Sequence, residues 1–174
     1  EMLSGSKTGI YIGYTPGSMK DNYSTNISFN HPELLKYSSV GNMPCIIPSR
    51  ASYALNLQGP TMLIDSACSS SLVAIHHACE SIKNGTCTMA IAGGIRLHSF
   101  PIVCEDSNVG FETDDNRTRT FDNFASGSAV GEGSACVFLK SLKAAEKDKD
   151  VIYAVIKATA VNNDGTSASI TAPN

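Results

Sequence analysis

The 174 residues carry 13 basic and 16 acidic side chains, a formal net charge of -3, with no basic field of the kind nucleic acid or an anionic membrane surface demands. Hydrophobic residues make up 42% of the chain, enough for a buried core, and nowhere do roughly 18 apolar residues run together as a membrane span requires. The six cysteines, at 45, 68, 79, 87, 104 and 136, form no CxxC pair and no His/Cys zinc spacing, so they are expected to be mostly buried thiols in a reducing cytosol, holding neither metal nor disulfide.

The opening EMLSGSKTG has no basic region followed by an apolar one, which points to a cytoplasmic chain in which the N-x-S/T triplets at Asn22, Asn26, Asn84 and Asn116 are chance matches. Thr8–Gly13 (TGIYIG), a short apolar run closed by glycine, predicts a buried strand. From Tyr14 to Asn42 the sequence is rich in Ser, Asn, Gly and Pro and predicts an irregular surface segment, in which His31-Pro32-Glu33 opens at most a short helix. Ile46–Leu57 places Ile47, Ala51, Ala54 and Leu55 at helical spacing, with Pro48 in the first turn and Gly59-Pro60 as the stop.

Thr61–Asp65 (TMLID) then predicts a strand that turns at Cys68 into a helix, with Leu72, Ile75, Cys79 and Ile82 on one face and Gly85 ending it. Thr88–Gly94, Ala135–Leu139 and Val151–Val161 predict three more buried strands, and SLKAAEKDKD between the last two predicts a charged helical connector. Strands alternating with helices imply an α/β architecture, with most strands covered on both faces.

Cys68 stands apart from the other five thiols. At a strand-to-helix turn it sits near unpaired backbone N–H groups and the positive end of the helix dipole, which favour a thiolate and offer donors to an oxyanion. A small buried thiol at a crowded turn is the purely structural alternative. Ser69, Ser70 and Ser71 are expected to satisfy backbone groups in the first turn, and Glu132 is expected either to anchor a loop near the site or to be solvated.

Gly59–Cys79, GPTMLIDSACSSSLVAIHHAC, resembles the active-site segment of the β-ketoacyl synthase family, where D-x-A-C-S-S-S-L surrounds the acyl-accepting cysteine. Other segments resemble the same family in the same order: TGIYIG, SRASYALNLQGP at Ser49–Pro60, MAIAGG at Met89–Gly94, RTFDNFASGSAVGEGSACVFLKSL at Arg119–Leu142, IYAVIKATAVNNDG at Ile152–Gly165 and the final ITAPN. NNDG before TAPN, and the FDNFASG to GEG spacing, look most like ketosynthases of modular polyketide synthases. Ser49, Thr120 and Ser126 depart from that pattern, which commonly has Asn, Pro and Asp there.

The resemblance implies a thiolase-like fold, layered α-β-α-β-α, of which residues 1–174 would be most of the N-terminal half. The family's first strand and its two later histidine motifs, HGTGT and N-x-G-H, are not in this sequence. His31, His76, His77 and His98 match neither motif, and His76 and His77 are expected to be packing or surface residues. The implied chemistry is acyl transfer to Cys68, whose N–H helps hold the oxyanion, then decarboxylative condensation with a malonyl-type extender.

No cofactor is implied at the site itself, since substrates would arrive on the phosphopantetheine arm of an acyl carrier protein. The carrier protein, an acyltransferase and other synthase domains are the implied partners in polyketide or fatty-acid synthesis. A homodimer is also implied, built by pairing the Pro60–Asp65 strand with its copy, and Asn163–Asn174 is placed by the resemblance near the active-site entrance. The competing readings are a thiolase-like acyltransferase without condensation and a catalytically incomplete structural fragment. A piece lacking the family's other half is expected to expose apolar surface.

Overall fold

The computed structural model of the protein describes residues 3–16, 23–97, 112–113 and 115–169. The first strand, β1 (Thr8–Gly13), is followed by three short helices, α1 (Tyr23–Asn30), α2 (Leu35–Ser38) and α3 (Ile46–Ala54). Strand β2 (Thr61–Ile64) leads into the long helix α4 (Ser70–Lys83), then β3 (Met89–Arg96), β4 (Gly133–Lys140) and α5 (Leu142–Asp148). The strands form one sheet in the order β2-β1-β3-β4, with β1 parallel to both neighbours and β4 antiparallel to β3.

β1 lies between two partners and is almost wholly buried, as its apolar run predicts. Helix α4 crosses from β2 to β3 and packs on the sheet around Tyr11, Ala74, Ala78, Cys87, Ala90 and Ala92. In register, Gly9 lies beside Ala90, Tyr11 beside Ala92 and Gly13 beside Gly94, so the face beneath the helix is paved with small residues around one large one. The Tyr11 hydroxyl donates to Ser81 Oγ at 2.7 Å, tying the strand to the end of the helix. Gly85, at φ +69°, turns the chain out of α4 where the sequence places the stop.

Several expectations need correction. In the Tyr14–Asn42 segment a 3-10 turn at Pro32–Leu34 forms where His31-Pro32-Glu33 suggests a short helix, but α1 and α2 also form there in place of an irregular stretch; burial of Ile27 supplies the tertiary contact that local pattern did not reveal. In α3 the buried residue is Pro48, while Ala51, Ala54 and Leu55 are exposed. In α4 the buried stripe is Ser70, Ala74 and Ala78; Ile75 and Ile82 flank it, Cys79 is half-buried and Leu72 is 71% exposed. Small side chains occupy the line of closest helix–sheet approach, so the most hydrophobic residues do not mark it.

The strands toward the carboxyl end differ most from expectation. β4 forms, but most of it is exposed, and Val151–Val161 joins no sheet among the described residues. In that segment Val151, Tyr153 and Val161 lie in solvent, and Thr159 Oγ1 meets His76 Nδ1 on α4 at 2.9 Å. Alternating β-branched residues favour an extended chain, but a strand also needs a free edge within reach. Coverage on both faces is therefore not the rule here: Phe121, Phe124, Val137 and Phe138 are also exposed, in line with the apolar surface expected of a partial domain.

α5 forms as the charged connector, capped by Ser141, whose Oγ accepts from the Ala144 N–H. Lys140 reaches Asp148 at 2.5 Å and Asp150 at 2.6 Å, holding the carboxyl end of this short helix to the close of β4. No helix among the described residues is long and apolar enough to cross a membrane.

Candidate active site at the strand-to-helix turn

Cys68 lies in the 3-10 turn Ala67–Ser69, between β2 and α4, and its side chain is exposed. Its placement starts with the sheet. Gly13 at the end of β1 touches the first turn of α4 so closely that a Cβ there would lie 2.6 Å from Ser70 C and from Ser71 N. A Cβ on Gly94 would lie 3.0 Å from Ser71 Cβ, so two glycines at adjacent strand ends let the helix N-terminus settle onto the sheet.

The turn itself is strained. Ala67 has φ +53°, a left-handed conformation that costs an alanine about 1–2 kcal/mol and persists only where surrounding contacts impose it. Those contacts are present on both sides of the residue. The Ala67 N–H donates to Asp65 Oδ1 at 3.2 Å, and the Ala67 carbonyl accepts from Ser70 Oγ at 2.7 Å. Ser70 Oγ also accepts the Ser66 N–H at 2.8 Å, and Ser69 Oγ donates to the Ser66 carbonyl at 2.8 Å.

Asp65 is held in turn by Thr15, whose hydroxyl donates to Oδ1 at 2.7 Å. Thr15 follows β1, and its carbonyl accepts from Arg96 Nη1, at the end of β3, at 3.1 Å. The hydrogen bond from Thr15, and then that from the Ala67 N–H, hold the Asp65 carboxyl below its ordinary range. Residues from the carboxyl ends of three parallel strands thus converge on the turn that carries Cys68, the position where open α/β sheets place their ligands.

The serines act somewhat differently from expectation. Ser69 and Ser70 satisfy backbone groups, but those of the preceding turn; neither Ser69, the residue before α4, nor its neighbours supply a side-chain cap to the helix. Nothing in the local sequence marks Thr15 or Arg96, and Asp65 stands out only as the first residue of D-S-A-C-S-S-S-L. Fifty residues separate Thr15 from Asp65, and no local pattern announces that pairing.

The cysteine expectation is corrected as well. Among the described residues Cys87 is buried and Cys79 half-buried, whereas Cys45, Cys68 and Cys136 are exposed; Cys104 lies outside the described residues. Cys45 immediately precedes α3, Cys68 lies in the 3-10 turn, and Cys136 lies on β4, at the edge of the sheet among the described residues. Burial pushes the Cys79 and Cys87 thiols up, which disfavours their thiolates. No cluster of three or more His, Cys, Asp or Glu side chains suited to a metal occurs among the described residues.

The remaining candidates lie apart from this constellation or outside it. His76 is half-buried and bonded to Thr159, His77 is exposed, and His31 lies 3.4 Å from Glu33 on the surface. His98 falls outside the described residues. Glu132 is exposed beside the start of β4. Of Asn163–Asn174, the described part contains a turn at Gly165 (φ +64°), whose N–H donates to Asn163 Oδ1 at 2.7 Å. An open depression of ≈ 360 Å³ between α3 and β2, lined by Ser49, Ser52, Tyr53, Asn56, Leu57 and Thr61, does not include Cys68.

Comparison with known proteins places these features in a lineage. Residues 1–145 match the model of the β-ketoacyl synthase N-terminal domain. The chain is 44% identical over 173 residues to polyketide synthase PksN of Bacillus subtilis, covering 99% of this chain and 3% of that protein. It is 40% identical over 173 residues to 6-methylsalicylic acid synthase of Penicillium terrestre, covering 99% of this chain and 10% of that protein.

Among solved structures, the ketosynthase from module 6 of the bacillaene synthase of Bacillus subtilis 168 superposes with a TM-score of 0.78 at 36% identity, covering 98% of this chain and 28% of that one. The oxazolomycin ketosynthase domain of Streptomyces albus JA3453 gives a TM-score of 0.80 at 32% identity, covering 99% and 30%. The chain thus spans less than a third of these solved ketosynthases, and its sheet and helices correspond to part of their thiolase-like fold. With the family model matching most of its length and the strand-to-helix cysteine turn in place, the chain belongs to the β-ketoacyl synthase family, through that family's N-terminal domain.

Proposed function

We propose that the chain is part of one ketosynthase domain of a polyketide synthase, and that Cys68 is the residue that accepts the acyl chain. The observation that carries this reading is the exposed Cys68 thiol on a braced, strained turn at the amino end of α4, inside D-S-A-C-S-S-S-L. The Cys68 thiolate attacks the carbonyl of an acyl thioester, the carrier's thiolate leaves and takes up a proton, and an acyl-Cys68 thioester remains. Backbone N–H groups of the first helical turn, that of Cys68 included, face the developing oxyanion.

In the second half-reaction a malonyl-type extender on an acyl carrier protein loses carbon dioxide, and the resulting enolate attacks the acyl-Cys68 carbonyl. A carbon–carbon bond forms and the Cys68 thiolate is released. This step draws on the family's two histidine motifs, which this sequence does not contain. Substrates reach the site on a phosphopantetheine arm, so the acyl carrier protein is the obligatory partner, alongside the acyltransferase and other domains of a cytoplasmic synthase.

The edge position of β2 among the described residues supports a homodimer in which this strand pairs with its copy, because an open strand edge invites pairing. The proposal for Cys68 is tested by incubating the protein with an acyl thioester and locating the adduct by mass spectrometry beside a Cys68→Ala variant. A single acyl adduct on Cys68, absent from the variant, is the expected result. Adducts spread over Cys45 and Cys136 as well, or retained in the variant, refute the assignment.

A further inference from the structure

The thiol is exposed, yet the backbone that carries it adopts a conformation an alanine avoids; Asp65 and Ser70 of the motif impose that conformation, and both are contacted in turn by a residue outside the motif. Asp65 Oδ1 is the hub: it accepts the Thr15 hydroxyl at 2.7 Å and the Ala67 N–H at 3.2 Å. Thr15 Oγ1 also lies 3.5 Å from Ser70 Oγ, which holds the other side of Ala67. Thr15 therefore touches both braces of the strained residue, and Arg96 fixes Thr15 through its carbonyl.

Because β1, β2 and β3 are held in register by their ladders, this chain of hydrogen bonds refers the Cys68 turn to the rigid sheet and not to the helix alone. Without it, Ala67 is free to relax to negative φ, rotating the peptide that carries the Cys68 N–H and moving the thiol with it. Resting on the reading of Cys68 as acyl acceptor, we propose that Thr15 and Asp65 form a latch that positions Cys68 for acyl transfer. They touch no substrate; they are positioning residues. The latch takes two features: a hydroxyl at residue 15, and at residue 65 an oxygen able to accept two hydrogen bonds.

The test uses a complete ketosynthase domain carrying this chain, with single-turnover acyl loading from an acyl-N-acetylcysteamine thioester and alkylation by iodoacetamide, both followed at Cys68 by mass spectrometry. Acyl loading needs the thiolate and the oxyanion donors in one geometry, whereas alkylation needs only an accessible thiolate. Thr15→Val and Asp65→Ala are expected to slow loading roughly tenfold or more, with alkylation changed by less than about threefold. Thr15→Ser and Asp65→Asn keep the hydroxyl and the acceptor and are expected to load within about threefold of the parent. The Thr15→Val/Asp65→Ala double variant is expected to load no more slowly than the slower single variant, because the two act as one unit.

Wild-type loading in Thr15→Val, or an equal loss in Thr15→Ser and Thr15→Val, overturns the latch while leaving Cys68 as acceptor. Should Asp65→Ala fail to accumulate as folded protein, the near-isosteric Thr15 pair decides the question alone. A parent protein that takes no acyl group at Cys68 overturns the catalytic reading and the positioning role together.

Discussion

Replacing Gly13 by alanine puts a methyl group where the structure has no room for one. The new Cβ lies 2.6 Å from Ser70 C and Ser71 N and 2.9 Å from Ser70 O, against ordinary contacts of 3.4–4 Å, and all three atoms belong to backbone. No side chain can rotate aside, so α4 must lift from β1 by ~1 Å at the end that carries Cys68. Overpacking of this kind costs about 1–3 kcal/mol. The loss of chain entropy in the unfolded state offsets about 0.4–1 kcal/mol of it, which leaves a net destabilisation of about 1–2 kcal/mol.

The functional cost is expected to exceed the structural one, since a displacement of ~1 Å at a reacting group can lower a rate by about a hundredfold. Urea denaturation followed by circular dichroism reads the first quantity and acyl loading of Cys68 the second. Gly133→Ala is the control: no atom lies within 4 Å of its Cβ, so stability and loading are expected to stay at parental values. A Gly13→Ala protein with the parental urea midpoint and the parental loading rate refutes the idea that strand–helix contact sets the height of the Cys68 turn.

Three further outcomes are expected. Tyr11→Phe removes the donor to Ser81 Oγ from a fully buried ring and should cost about 1 kcal/mol in urea unfolding, with a double-mutant cycle to Ser81→Ala returning a coupling of the same order. Asp115, held at about 2 by the hydrogen bond from Arg119, has a folded value below its unfolded one, so its contribution is complete above pH ~4 and is lost as pH falls toward 2. An NMR titration should show the Asp115 carboxyl midpoint near that value and a rise toward the ordinary range in Arg119→Met. Thr159→Val breaks the contact to His76, and the backbone order parameters of residues 151–161 measured by NMR relaxation should fall while those of α4 stay as before. Unchanged order parameters there would mean that this hydrogen bond does not hold the segment.

What local sequence made visible was the part of the fold whose signals are local. Apolar runs closed by glycine marked β1 and β3, the short apolar run TMLID marked β2, Gly85 marked the end of α4, and D-S-A-C-S-S-S-L marked the strand-to-helix cysteine. Each depends on residues within one turn or one strand, where propensity and backbone freedom act. Val151–Val161 misled for the same reason: its composition suits an extended chain, but a strand is defined by a partner, and none lies beside it among the described residues.

The latch behind Cys68 was not legible, because its parts are scattered. Thr15 and Arg96 are unremarkable polar residues in the chain and meet Asp65, the first residue of the motif, only when three strands align their carboxyl ends. The buried stripe of α4 was hidden likewise, since close helix–sheet approach selects serine and alanine where periodicity favours leucine and isoleucine. The sequence by itself determined which thiol stands at the turn, the family to which it belongs and the local braces that Asp65 and Ser70 place on Ala67; only tertiary structure decided that Thr15 and Arg96 tie those braces to the sheet, since these two residues reach the turn across the sheet and not along the chain.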